Sequence, residues 1–221
     1  MPVTISGSGI ITGIATGGLP DGSIASGDLA DNAVTAGKLA SSLDLTGKTV
    51  TLPSGVGGKI LQVKTTIYNG VTSEALALNS HNEMPFNVTI TPASTSNNIL
   101  ISVQLFGEGS DGNVGNGMVT VNRKIGATNN YLGPSVDPSN RNRGLGMSRA
   151  SNPGDYASSP DIFTFNNYLD SPDTTSEITY IPTIRTGSSG FTWYYNRTAN
   201  ATDTVNYERG VSWITVMEVA G

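Results

Sequence analysis

Ile99-Leu100-Ile101-Ser102-Val103-Gln104-Leu105-Phe106 is a run rich in β-branched and aromatic residues. Its length and apolar character predict a central β-strand. Other short runs of the same kind surround it. Lys59–Lys64 precedes it, as does Phe86-Asn87-Val88-Thr89-Ile90, which alternates apolar and polar residues as a half-buried strand does. Met118–Arg123, Ile162–Leu169, Ile178–Arg185, Phe191–Tyr195 and Val211–Val219 follow it. These are eight candidate strands with no convincing helix between them. Pro182 lacks a backbone donor and is expected to push its strand to a sheet edge or into a bulge. Short strands at regular spacing, separated by Gly-rich turns, predict an antiparallel β-sandwich of jelly-roll type over residues 56–221.

Composition agrees with a mainly β chain. Charged residues are 13% of the 221, against roughly 25% in an average globular protein. Gly, Ser, Thr and Asn take their place, and these residues favour turns and strands over helix interiors. The net charge is −5, with only twelve Lys and Arg. A cationic nucleic-acid footprint is therefore not expected. Cys is absent, which removes disulfides, thiolate zinc sites and thiol nucleophiles. No apolar run approaches the roughly 20 residues of a membrane-spanning helix. Met1–Ile10 lacks the basic and apolar regions of a secretory signal, and none is expected.

Residues 1–55 follow a different rule. Three decads run from 11 to 40: ITGIATGGLP, DGSIASGDLA and DNAVTAGKLA. Ile14, Ile24 and Val34 share the fourth position, Gly17, Gly27 and Gly37 the seventh, and Leu19, Leu29 and Leu39 the ninth. The apolar residues stand five apart. That spacing advances about 140° on a helix and puts successive residues on opposite sides of a strand. A composite of an extended stretch and a short helical turn, capped by Thr16, Ser26 or Thr35, accounts for it. One such unit buries nothing by itself. Three identical chains around an axis would bring Ile14, Leu19, Ile24, Leu29, Val34 and Leu39 together level by level, each gaining roughly 1.5–3 kcal/mol. A disordered linker is the other reading.

Two segments of the C-terminal domain read as loops. Residues 107–117 hold five glycines with Glu108 and Asp111; residues 126–160 are long and polar and hold Tyr131, Arg141, Arg143, Arg149 and Tyr156. Loops of this length are commonly functional, so those five residues are the candidate ligand-facing set. Packing of the same loop in an interface between copies is the alternative. Along Phe191-Thr192-Trp193-Tyr194-Tyr195 one face is expected in the core, and the other is left for a sugar ring or a neighbouring copy. His81 is the sole histidine and reads as an exposed loop residue. With no Cys and no Gly-x-Ser-x-Gly elbow, no catalytic residue, metal site or cofactor is expected.

The stretches TISGSGIITGI, DLADNAVTAGKLA and SSLDLTGKTVTLPSG resemble the N-terminal parts of fibre proteins on tailed-bacteriophage virions, marine and cyanobacterial types above all. GKILQV, NVTITPASTSNNILI, FNNYLDSP and SWITVMEVAG are similar to a C-terminal domain that many of those proteins carry. The resemblance implies a non-enzymatic homotrimer on the outside of a virion. Its N-terminus would join other virion proteins of tail or capsid, and its C-terminal head would be displayed to a host-surface glycan or protein. It implies neither nucleic-acid binding nor membrane insertion. A capsid decoration fibre with little receptor binding is the alternative. Asp155, Asp161, Asp170 and Asp173 are the acids a glycoside hydrolase would draw on, but the coil repeats of depolymerase tailspikes are missing.

Overall fold

The structure, a computed structural model, describes residues 25, 27, 29–31, 33–35, 59–110, 117–134, 142–147, 160–187 and 190–221. The chain divides into two compact units, Met1–Pro53 and Ser54–Gly221. In the first, Ala33 N donates to Ala30 O at 2.9 Å, closing a turn. Leu29 and Val34 are 48% and 52% exposed within the single chain. Ile14, Leu19, Ile24 and Leu39 lie outside the described residues.

The second unit is built of antiparallel strands: β1 (Ile60–Tyr68), β2 (Ser73–Ala75), β3 (His81–Glu83), β4 (Val88–Ile90), β5 (Asn98–Gly109), β6 (Met118–Ile125), β7 (Thr128–Tyr131), β8 (Gly146–Met147), β9 (Asp161–Asp170), β10 (Ile178–Arg185), β11 (Thr192–Tyr195) and β12 (Ser212–Val219). One sheet has the order β1-β12-β5-β11-β2, with β9 also paired to β5. The other has the order β3-β10-β6-β7, with β4 on β10 and β8 on β6. The pairing is nested. The first strand meets the last, β3 and β4 meet β10, β5 meets β9, and β6 meets β7 and β8. Apart from β2–β11, which extends the first sheet, successive pairs fall on alternate sheets, so the chain wraps one core between two layers.

β5 is the axis of this arrangement. Ile99, Ile101, Val103 and Leu105 are fully buried, alternating with half-buried neighbours. They meet Ile214 and Val216 of β12 from their own sheet, and Val88, Ile90, Val119, Val121, Ile178 and Ile184 from the other. Trp193 and Tyr195 of β11, and Phe191 just before it, join the same core, while Tyr194 faces outward under the Arg197 guanidinium, 4.6 Å from its ring centre. The strand runs on to Gly109, so Gly107 and Glu108 belong to it and not to a loop. Glu108 is buried and its carboxylate accepts from Ala199 N at 2.5 Å. At Gly107 a Cβ would stand 2.3 Å from Tyr194 O, so only glycine admits the neighbouring strand there.

Pro182 does not mark an edge. It sits in β10, between β6 on one side and β3 and β4 on the other. β4 pairs with Ile178–Tyr180 and β3 with Thr183–Arg185. Pro182 therefore falls at the break between them, where its carbonyl accepts from Met84 N at 2.8 Å. In an antiparallel pair a residue's N–H and C=O point to the same side. The missing donor thus faces a gap in the ladder, and the β6 side keeps its register throughout.

The motif Phe165-Asn166-Asn167-Tyr168 carries a bulge. Ile101 pairs with Tyr168 and Val103 with Phe165, so β9 holds one residue more than β5. Asn167 takes a left-handed backbone, φ 60°, and donates its N–H to Ser102 Oγ at 3.1 Å. Phe163 and Phe165 pack against the core before the bulge, and Tyr168 after it. The extra residue resets the alternation so that Asp170 also turns inward and Leu169 outward.

Glu218 closes the wrap. It is 1% exposed and pairs with no cation among the described residues. Its Oε1 accepts from Ala93 N and Asn97 Nδ2, both at 2.6 Å, and its Oε2 from Gln62 Nε2 at 2.6 Å. Burial acts to raise its pKa, but the donors outweigh burial and hold it below the ordinary carboxylate value.

Two outcomes are expected. Asn167→Ile forces a β-branched residue into left-handed backbone and should lower unfolding free energy by about 1–2 kcal/mol, with Asn167→Gly near neutral, in urea titrations. Glu218→Ala leaves three donors without their acceptor and should cost about 3 kcal/mol. Because the folded pKa is depressed, the Glu218 contribution is complete above pH 4.5 and fades as pH falls through the folded value. The Ala variant should lack that acid slope.

Candidate functional site

A cleft of about 600 Å³ opens beside the second sheet. Its lining comes from β3 (His81), β6 (Arg123), β7 with the residues that follow it (Asn129–Pro134), Arg143, β9 (Tyr168, Asp170), Ser171 and β10 (Arg185). Strand alternation explains how polar groups collect here. Val119, Val121 and Ile184 point into the core, so Thr120, Asn122 and Thr183 point away from it. All three are nonetheless buried. Asn122 Nδ2 donates to Glu83 Oε1 at 2.7 Å and to Asn129 Oδ1 at 2.9 Å. Thr120 Oγ1 donates to the Leu132 carbonyl. This polar layer fastens β7 and the turn after it over the sheet.

His81 is placed by its neighbour. The side chain of Asn82 accepts from Ala77 N at 2.7 Å and donates to the carbonyls of Ala77, Ser80 and Ile184 at 3.2 Å each. That holds β3 in register, with His81 directly opposite Arg185. The imidazole stacks on Tyr131, with ring centres 3.6 Å apart and planes 9° from parallel. His81 is thus a half-buried strand residue and not an exposed loop histidine. Burial, and then the positive charge of Arg185, hold its pKa below the usual histidine value. Burial, then the negative charge of Glu83, raise that of Tyr131.

At the far end Arg123 Nη1 meets Asp170 Oδ1 at 2.7 Å, and Tyr180 Oη donates to Asp170 Oδ2 at 2.8 Å. Both carboxylate oxygens are engaged. Burial, followed by the charge of Asp170, raises the Tyr180 pKa far above the usual phenol value, so it remains a donor. Among the described residues Asp170 is the single acid in the lining. Asp173 lies outside the lining, exposed at a left-handed turn, φ 52°. Among the described residues no pair of carboxylates flanks the cleft in the way that glycoside hydrolysis requires.

Of the ligand-facing set expected from sequence, Tyr131 and Arg143 line this cleft. Arg141, Arg149 and Tyr156 lie outside the described residues, as does Asp111. Tyr131 belongs to a strand, because β7 and β8 interrupt the segment read as one long loop. His81, Arg123, Tyr168, Asp170 and Arg185 were not singled out as ligand-facing. Their separation in sequence hides them, and the bulge at Asn167 is what turns Tyr168 and Asp170 toward the cleft.

No protein-family model matches the chain, and no curated protein does. Among solved structures, the infectious bursal disease virus VP2 subviral particle is similar with a TM-score of 0.37 and 12% identity, over 82% of this chain and 50% of that one. The T=1 particles derived from the same virus give 0.36 and 13%, over 83% and 44%. The chain thus spans about half the length of the VP2 chain. Likeness this distant carries no argument about function.

The lowered pKa of His81 means the fold prefers the neutral imidazole. The stability linked to burying a neutral His81 beside Arg185 is complete above pH 6.5 and declines as pH falls from 6.5 through the folded value. Titration of the sole histidine by NMR should give a pKa below 6.5. His81→Phe should keep the stack and lose that pH slope in thermal melts.

Proposed function

We propose that the chain is a non-enzymatic fibre protein of a tailed-bacteriophage virion. It assembles as a homotrimer, joins other virion proteins through its N-terminal residues, and presents residues 56–221 at the particle surface for host attachment. The fold we assign to that head is a jelly roll, on the strength of the nested pairing that alternates between sheets.

The observation that carries the reading is the division of labour between the two sheets. On the outer face of the first sheet, Val63, Met217, Leu100 and Leu169 stand side by side across four strands. Ile67 pairs with Trp213, and Phe106 with Ile162, on the same face. Val63, Ile67, Ile162 and Leu169 are more than half exposed. The polar row Thr65, Thr215 and Ser102 separates these two apolar groups. Exposed apolar groups of this kind mark a contact surface, and the decads of residues 11–40 call for identical partners. The second sheet instead bears an open polar cleft with one fully paired acid. That suits binding and leaves no free carboxylate among the described lining residues for acid–base work.

Sedimentation of the full chain tests the assembly. A mass three times 22.9 kDa is expected. The double variant Ile67→Glu and Leu169→Glu should shift it toward monomer at micromolar concentration. A monomeric wild-type chain at that concentration overturns the proposal.

A further inference from the structure

The cleft concentrates positive charge in an acidic protein. Arg123, Arg143 and Arg185 are three of seven arginines in a chain of net charge −5. One acid, Asp170, lines the cleft with them, and its two oxygens are taken by Arg123 and Tyr180. Glu83, whose charge acts on Tyr131, lies outside the lining and accepts from Asn122. Among the described residues neither Arg143 nor Arg185 has a carboxylate partner. Arg185 Nε donates to Asn142 Oδ1 at 3.0 Å, which fixes the plane of its guanidinium. Arg123 Nε is buried with no hydrogen-bond partner among the described residues, a donor that a ligand or water must satisfy. The site therefore has the charge of an anion receptor before any ligand arrives.

The rest of the lining narrows the class. Asn129, Asn130 and Ser171 offer amides and a hydroxyl, and Tyr131 and Tyr168 offer phenols with apolar ring faces. Among the described residues Leu132 and Pro134 are the only aliphatic side chains in the lining, and they offer no greasy floor for a lipid or a hydrophobic metabolite. About 600 Å³ lies within the roughly 300–1,000 Å³ of small-molecule sites. A flat carboxylate suits the planar fork of an arginine, and sugar hydroxyls suit amides beside tyrosine rings.

Resting on the reading of this head as a host-attachment domain, we propose that the cleft binds a saccharide bearing a carboxylate. Arg185 and Arg143 receive the acid group, and Tyr131, held by His81, supports the sugar ring.

The test is an NMR titration of the full chain that follows the His81 ring signals. The probes are glucuronate, galacturonate and sialate oligosaccharides, a neutral glucose oligosaccharide, and inorganic sulfate. Saturable shifts with at least one acidic sugar are expected. Reduction of its carboxylates to alcohols, or Arg185→Gln or Arg143→Gln, should weaken binding at least tenfold. Arg143 is exposed, so its variant should fold, and an unchanged thermal melt will confirm this. No shift with any of the three acidic sugars overturns the inference. So does equal binding of the neutral sugar, or sulfate binding as tightly as the acidic sugar. If the purified chain blocks particle adsorption while acidic sugars leave His81 unmoved, this inference falls and the attachment reading stands.

Discussion

The structure depends on the burial of one face of β5. Ile99, Ile101, Val103 and Leu105 are excluded from water, and each contributes roughly 1.5–3 kcal/mol of transfer free energy. Their neighbours in the core come from both sheets and from positions up to more than a hundred residues away in the chain. Because β5 is paired to β12, β9 and β11, this one strand sets the register of its sheet. The opposite sheet is then positioned by the side chains it must place against β5. Glu218 adds a polar lock at the end of β12, tying β1 and the turn before β5 to the last strand through hydrogen bonds alone.

The second sheet solves another problem. Its face away from the core carries Thr120, Asn122 and Thr183, which are polar and buried. Such groups are tolerated only with their hydrogen bonds made, and Asn122 and Thr120 make theirs to β3, β7 and the turn after β7. The same bonds that satisfy this layer bring His81 and Tyr131 into contact. The His81 and Tyr131 side of the cleft thus follows from covering a polar sheet face, whereas Arg123, Tyr168 and Asp170 reach the cleft from the core-facing side of their strands.

Pro182 and the motif from Phe165 to Leu169 show where reading by periodicity stops. A proline excludes a central place only when both sides of its strand would have to be continuously paired. Here one side is served by two short strands, and the proline faces the space between them. In β9 a strict alternation from Phe163 and Phe165 would point Asn167 and Leu169 inward. The bulge reverses this, and nothing in a one-dimensional pattern distinguishes Asn166-Asn167 as a bulge from the same residues as ordinary strand. The short strands β2, β3, β7 and β8 escape for a related reason. At two to four residues each, they are too brief to show any period.

Sequence alone determined the β class of the chain, the positions of its long strands, and that one face of the aromatic run from Phe191 to Tyr195 is core. These follow from local alternation and composition, which a chain carries without being folded. Only the tertiary structure decided the central place of β10, the inward turn of Asp170, and the meeting of His81, Arg123, Tyr131, Arg143 and Arg185. Those residues lie apart in the chain and join one cleft because paired strands bring them together. That pairing is selected by the burial of the whole core, not by any short stretch.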